Sequence, residues 1–224
     1  MINETLNDIL VKVSSVVNQT TDIDDTTDEY ALWRSYANMA QKEWAETYEW
    51  PQLYTEYHTR TSTSTGNATL IMPSNYRKLA SYPKIVADGA NTFEYSKIDP
   101  MKKGQYNSTD RFIYELSTNS NSYLVVNPGT LVSGASIMIP YWRSIASLAS
   151  PTDKIEVPNG EYMVERIIAY IWEASEDSRY PGAKATSQQI LANLLEFENS
   201  KGEADANTIQ TIEEAKFNFR IGRN

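Results

Sequence analysis

Residues 28–60, DEYALWRSYANMAQKEWAETYEWPQLYTEYHTR, decide the fold because their hydrophobic period changes at Pro51. Before the proline, aromatic and alanine residues recur every three or four positions, which places them on one face of a helix. From Leu53 onward the residues alternate with a period of two, as in a strand. Because proline cannot continue a helix, we predict a helix that begins near Thr27, ends at Pro51 and leads into a β region.

The segment before this helix contains another helix and an acidic linker. Apolar residues at spacings of three and four predict a helix over about residues 3–18. The linker, DIDDTTDE at residues 22–29, places Thr26 and Glu29 at the spacing of a helix capping box. Its alternating acids resemble a calcium loop, but the glycine and glutamate that an EF-hand requires are replaced by threonine and tryptophan. We therefore expect a solvated linker that ends in a helix cap.

A series of short β-branched and aromatic runs follows, between residues 53 and 146. Turn sequences such as Asp88-Gly89 and Asn127-Pro128-Gly129 separate these runs. Six or seven strands at this spacing predict a small sandwich or barrel.

The sequence after the strands becomes helical again. VPNGEYMVERIIAYIWEASED and KATSQQILANLLEFENSK both have apolar residues at helical spacing, with a break at Pro181-Gly182 and an end near Gly202. Uniting the flanking helix pairs gives an α+β fold: a discontinuous helical bundle with an inserted antiparallel β-sandwich or barrel and an extended C-terminal arm. The predicted boundaries are residues 1–52 and 151–206 for the bundle, 53–150 for the sandwich, and 207–224 for the C-terminal helix and arm.

The last segment, NTIQTIEEAKFNFRIGRN, begins as a helix and then alternates two phenylalanines and an isoleucine with polar residues. The alternation predicts a terminal strand, which is either an edge strand of its own domain or an arm for another chain. Three basic residues give this acidic chain a positive tip that fits an acidic partner. The predicted partner-binding residues of the arm are Phe217, Phe219, Ile221, Lys216, Arg220 and Arg223.

Composition excludes many functions. The chain has no cysteine and one histidine, His58, so thiolate chemistry and metal sites built from several histidines within one chain are excluded. Phosphate-binding glycine loops and esterase elbows are absent from the sequence. The formal charge of −9 has the wrong sign for non-specific DNA binding, and no apolar run is long enough to span a membrane. We therefore predict no catalytic, metal-binding or cofactor-binding residues.

Aromatic residues point to interfaces. The chain has 15 tyrosines and five tryptophans, more than a small bundle and a small sandwich need for their cores. Tyrosine and tryptophan are enriched where proteins contact each other. The same aromatics, together with paired carboxylates, would also suit a carbohydrate-binding or carbohydrate-active β-sandwich protein, which stays the alternative.

Three stretches resemble the head-to-tail adaptor (connector) proteins of tailed phages, namely the tail tubular protein A-like or portal-proximal ring proteins of short-tailed and crAss-like phages. The long aromatic helix DEYALWRSYANMAQKEWAETYEWPQL is similar to the helix that leads into the family's sandwich. LIMPSNYRKLASYPKI resembles its strand, proline turn and return strand, and EVPNGEYMVERIIAYIWEASEDSRYPGAKA its helix after the sandwich. Together these stretches span roughly residues 28–200.

The resemblance implies a structural virion protein with no enzymatic activity and no cofactor. Such proteins form a ring, usually of twelve copies, between portal and tail, and continue the DNA channel. The implied partners are the portal protein, neighbouring copies of the chain in a dodecamer, and tail or nozzle proteins. DNA would pass without specific binding, and no membrane would be involved. The expected location is the portal–tail junction of the virion, after synthesis in the host cytoplasm.

Overall fold

The chain divides into two compact units in a computed structural model. One unit comprises Met1–Tyr48 and Ser147–Asn224, and the other comprises Glu49–Ala146. The structure describes residues 4–60, 66–80, 84–86, 92–93, 95–119, 121–128 and 136–221, and for 84–86, 92–93 and 202–221 it describes the backbone alone.

The first unit, here called the helical unit, is built from four α-helices. They are α1 (Leu6–Val17), α2 (Asp28–Thr47), α3 (Gly160–Ala174) and α4 (Tyr180–Ile221). Contacts join α3 to each of the other three helices, so α3 is the centre of the unit. Many of the apolar residues predicted to face the core are buried, including Ile9 and Val13 on α1, Trp33 and Trp44 on α2, and Ile167 on α3. The prediction is wrong for Val16 at the end of α1 and for Phe197 on α4, which are 46% and 58% exposed.

Capping residues fix where the helices begin. Thr5 forms a full capping box with Asp8: its hydroxyl accepts the Asp8 N–H at 3.2 Å, and its own N–H donates to the Asp8 carboxylate at 2.8 Å. The predicted box of Thr26 and Glu29 is wrong by one residue, because Thr27 is the cap of α2 and its hydroxyl accepts the Tyr30 N–H at 3.2 Å. Thr26 instead donates to the Asp24 carboxylate, which completes the turn before the helix.

The end of the chain differs from the prediction. Pro181 lies in the first turn of α4. The N–H groups of a first turn make no hydrogen bond within the helix, so a proline is tolerated there and the break between helices falls before it. Helix α4 then runs past Gly202 to Ile221, and the extended strand predicted around Phe217 is helical instead. Once a helix is nucleated, each further residue adds a hydrogen bond at little cost, which favours continuation through a short alternating segment.

The second unit, here called the β unit, contains nine described strands in two sheets. A core shared by the two sheets includes Leu70, Ile113 and Leu124 from one sheet and Ile137 and Ile139 from the other. The strands are β1 (Tyr54–Arg60), β2 (Ala68–Ile71), β3 (Tyr76–Leu79), β4 (Lys84–Val86), β5 (Thr92–Phe93), β6 (Ser96–Lys97), β7 (Phe112–Ser117), β8 (Ser122–Asn127) and β9 (Ser136–Arg143).

The sheets are mostly antiparallel. One has the order β1-β9-β4-β5, with β3 also paired to β9, and the other has the order β2-β8-β7-β6. The pairing of β6 with β7 is parallel, so the second sheet is mixed. The predicted α+β class is confirmed, with a sandwich rather than a closed barrel formed by the described strands.

A proline in the central strand β9 has a local explanation. The Pro140 carbonyl accepts a hydrogen bond from the Ala80 N–H at 3.0 Å. On this side of β9, Pro140 lies between the residues paired with β3 and those paired with β4. A residue's N–H and C=O point to the same side of a strand, so the missing donor of Pro140 faces this gap between partner strands. The sheet therefore loses no regular ladder bond at that position.

Candidate assembly surfaces

The predicted arm residues lie at the C-terminal end of α4 or beyond it. Positions in a helix are 100° apart, so Phe217 and Ile221 fall 40° apart while Phe219 falls on the opposite side. A strand would instead place all three positions on one face. Arg223 lies outside the described residues. The role of the arm stays a prediction.

A polar cluster joins α2 to α3 in the helical unit. The Arg166 guanidinium donates to both carboxylate oxygens of Glu43, at 2.7 and 3.1 Å, and the Tyr170 hydroxyl donates to the same carboxylate at 2.8 Å. The guanidinium also lies 4.5 Å from the centre of the Tyr170 ring. Burial, reinforced by the bond to Glu43, raises the pKa of Tyr170 to about 12. This cluster fixes the spacing of the two helices.

Next to this cluster, α2 exposes an apolar stripe. Leu32, Tyr36 and Met39 are spaced by four and three residues and so share one face of the helix. Leu32 and Met39 are 50% and 47% exposed. The Tyr36 ring stacks on Tyr170 at 5.6 Å between centroids, which holds the middle of the stripe in place. Two exposed aliphatic side chains on a rigid helix form a surface suited to a protein contact.

A second apolar surface crosses three strands of the β unit. Tyr123 on β8 is paired with Ile71 on β2 and with Leu116 on β7, so the three side chains form a row on one face of the sheet. Ile71 is 59% exposed and Leu116 is 42% exposed. At the other end of this face, Phe112 and Tyr114 are buried with Ile98 and Val125. The face is thus covered at one end and open at the other.

The segment after β6 forms a prominent 3₁₀ helix, Pro100–Gln105. Asp99 caps it by accepting the Met101 N–H at 2.9 Å, and the Tyr106 ring behind it packs on Phe112 at 5.3 Å. Met101 is 91% exposed, the most exposed of the large apolar side chains that the structure describes. It is followed by two exposed lysines.

The carboxylates of the acidic linker are held in a local turn. Within the described residues, no group of three or more His, Asp and Glu side chains could hold a metal ion. In the linker, hydrogen bonds from the side chain and backbone of Thr26 lower the pKa of Asp24. That carboxylate therefore serves as a turn acceptor.

His58 and Tyr54 lie on the exposed face of β1. His58 is 62% exposed and lies 3.6 Å from the Glu56 carboxylate on the same strand. Tyr54 meets Trp142 edge to face, with ring centroids 5.7 Å apart and planes at 73°. Rings at this angle do not form the flat platform on which a sugar would stack.

Local sequence patterns did not predict the two surfaces of the β unit. The row of Ile71, Leu116 and Tyr123 depends on strand register, which sequence alone does not provide. A signal for Met101 was present in PMKKGQY, where an isolated apolar residue stands in a polar turn sequence. The sequence did not mark the stripe on α2 as exposed, because Leu32 and Met39 also fit the spacing of an ordinary amphipathic helix.

Comparison with known proteins gives the family. No curated protein matches the chain in a sequence comparison. A family model described as SU10 adaptor protein matches residues 4–211, which include nearly all of both units. Among the residues that the structure describes, no helix is long and apolar enough to cross a bilayer. The chain therefore belongs to the SU10 adaptor protein family, a family of structural phage head-tail adaptors.

Proposed function

We propose that the chain is a head-to-tail adaptor subunit that forms a ring between the portal and the tail and continues the DNA channel. The observation that carries this proposal is the family match over residues 4–211, which spans the helical unit and the inserted β unit alike. A ring of twelve copies, as the resemblance in sequence implies, is the expected assembly. The chain is made in the host cytoplasm and incorporated at the portal–tail junction.

The exposed apolar side chains support an assembling protein. Leu32 and Met39 in the helical unit, and Ile71 and Leu116 in the β unit, are all more than 40% exposed on regular secondary structure. Such positions gain free energy when a partner removes them from water, about 25 cal/mol per Å² of apolar surface. A subunit between two neighbours in a ring, and between portal and tail, needs several such surfaces.

The C-terminal segment 207–224 is the element we propose to contact the portal or a neighbouring copy. Its backbone is helical as far as Ile221, so it would dock as a helix, which presents its residues three and four positions apart. Lys216, Arg220 and Arg223 favour an acidic surface on the partner. The apolar residues Phe217, Phe219 and Ile221 would then contact the partner from two sides of the helix.

The adaptor acts without catalysis and without a specific grip on DNA. An excess of nine acidic residues in each copy repels phosphates over about 8 Å at physiological salt. A passing duplex is then free to slide. Tight, salt-sensitive binding of duplex DNA by the assembled ring would contradict this part of the proposal.

Co-assembly with the portal tests the function. The full-length chain is mixed with the portal protein of the same phage, and the mass of the complex is measured by native mass spectrometry. A portal carrying one closed ring of chains is the expected result. A chain that does not bind the portal but binds an immobilised glycan would instead support the carbohydrate-binding alternative.

A further inference from the structure

Charge is divided unequally between the two units. The helical unit, with residues 1–48 and 147–224, carries 11 basic and 22 acidic side chains, a formal charge of −11. The β unit, residues 49–146, carries nine basic and seven acidic side chains, a formal charge of +2. The acidity of the chain therefore belongs to the helical unit alone, and two copies can attract each other through unlike units.

An exposed basic feature of the β unit is the Met101 tip, defined as Met101, Lys102 and Lys103. Met101 is 91% exposed and both lysines are exposed. Neither lysine forms an ion pair with a described residue. The tip is held in shape, since Asp99 accepts the Met101 N–H at 2.9 Å and the Lys102 N–H donates to the Asp99 carbonyl at 2.9 Å. A preorganised loop loses little conformational entropy on binding.

The chemistry of the tip favours a protein partner over DNA. Lysines alone would suit phosphates, but a methionine side chain gains nothing from a charged backbone. Methionine is enriched at protein interfaces, and the rim around their apolar centre is polar. An exposed methionine beside two lysines therefore has the composition of an apolar anchor with a basic edge, and its complement is an apolar spot with an acidic edge.

The helical unit carries a surface of that description. The acidic linker, residues 22–29, is exposed at every carboxylate. Along the chain it is flanked by Val16 in the last turn of α1 and Leu32 in the second turn of α2, which are 46% and 50% exposed. The Asn18 side chain at the end of α1 donates to the Glu29 carboxylate in the first turn of α2 at 3.2 Å and so ties the two helix ends that flank the linker.

We propose that the Met101 tip of one copy docks on the acidic linker of the next copy. This inference rests on the proposed ring. A closed ring needs a head-to-tail contact between two different patches of the same chain, because identical patches would produce only closed pairs. The tip and the linker are two such patches, opposite in charge and both partly apolar. Their pairing assigns a further role to the linker, whose Asp24 and Glu29 carboxylates accept hydrogen bonds from Thr26 and Asn18 while Asp22 and Asp25 remain exposed.

Crosslinking tests the contact directly, because the chain has no cysteine of its own. Met101→Cys is introduced into one preparation of the chain. Asp25→Cys is introduced into a second preparation, whose chain carries a tag that makes it distinguishable by size. The two are co-assembled on the portal protein and treated with a short bis-maleimide. We expect a crosslinked heterodimer. The matched control replaces the second variant by Lys154→Cys, another exposed position of the helical unit, and should yield no heterodimer.

Charge exchange tests whether the contact drives assembly. Lys102→Glu with Lys103→Glu should lower the assembled fraction at least tenfold. Asp22→Lys with Asp25→Lys in the neighbouring copies should restore it, because neither aspartate takes part in the cap of α2. Lys42→Glu with Lys154→Glu changes the net charge equally but leaves the tip intact, and this control should assemble like wild type.

The outcomes separate the two proposals. Wild-type chain that fails to assemble on the portal rejects the proposed function. Wild-type chain that assembles while the 101–25 crosslink is absent, or while the tip variant assembles equally well, rejects this inference alone. A tip variant that assembles normally but loses duplex DNA binding would reassign the tip to DNA, and failure of the exchanged pair to restore assembly would reject the acidic linker as its partner.

Discussion

Replacing Glu43 by alanine should destabilise the helical unit by about 2–3 kcal/mol. The change removes three hydrogen bonds, two from Arg166 and one from Tyr170. The Arg166 side chain is only 12% exposed, so its charge would lose its partner while remaining largely out of water. Breaking a fully buried pair costs about 3–5 kcal/mol and an exposed pair about 0–1 kcal/mol. The 38% exposure of Glu43 places this pair between these limits.

Urea unfolding of the full-length chain, followed by far-ultraviolet circular dichroism, measures this effect in the helical signal. Glu46→Ala is the matched control. It lies on the same helix, and its carboxylate is 61% exposed and 3.9 Å from Lys42, so its loss should cost about 0.3–0.5 kcal/mol. If Glu43→Ala and Glu46→Ala unfold at the same urea concentration, the cluster does not hold α2 to α3 and the argument from burial fails.

Three further predictions follow from other parts of the molecule. The pKa of Tyr170 is raised to about 12, so the folded state holds this proton more strongly than the unfolded state does. The resulting stabilisation is complete below pH 10 and is lost as the pH rises through 12. In thermal unfolding between pH 9 and 12, the melting temperature of Tyr170→Phe should therefore fall less than that of wild type. Asn127 is buried and donates its amide to the carbonyl of Asp110 at 2.8 Å, so Asn127→Ala should lower the stability of the β unit by about 1–3 kcal/mol, and a β-unit transition unchanged in calorimetry would contradict this. Deleting residues 207–224 should leave thermal unfolding nearly unchanged and abolish incorporation beneath the portal, whereas a large loss of stability with retained assembly would mean that the segment belongs to its own domain.

Local sequence patterns predicted most of the fold. The helical spacing before Pro51 and the alternation after it correspond to α2 and β1, and the spacing in the first 18 residues corresponds to α1. The cap of α2 was misplaced by one residue because two adjacent threonines both satisfy the pattern of a cap. Only the backbone bond to Tyr30 distinguishes them.

The end of α4 was predicted wrongly because the five residues from Phe217 to Ile221 are too few to distinguish the period of a helix from that of a strand. Phe217 and Ile221 are separated by four positions, which suits a helix as well as a strand. The preceding helix decides between them. A local alternation of this length carries less weight than the cooperativity of the helix that leads into it.

Contacts between distant parts of the sequence were not predictable. Glu43 and Arg166 are 123 residues apart, and nothing in either local pattern marks them as partners. The row of Ile71, Tyr123 and Leu116 requires the pairing of three strands to be known. The candidate surfaces therefore come from the structure, whereas the family came from residue patterns along whole elements.

Electron cryomicroscopy of the purified virion would show where the chain lies and in how many copies. We predict a closed ring between portal and tail, with the helical unit and the β unit of each copy recognisable in the density and the DNA channel passing through the ring. Density for the chain elsewhere in the particle, as isolated copies on the capsid or on a tail fibre, would contradict it.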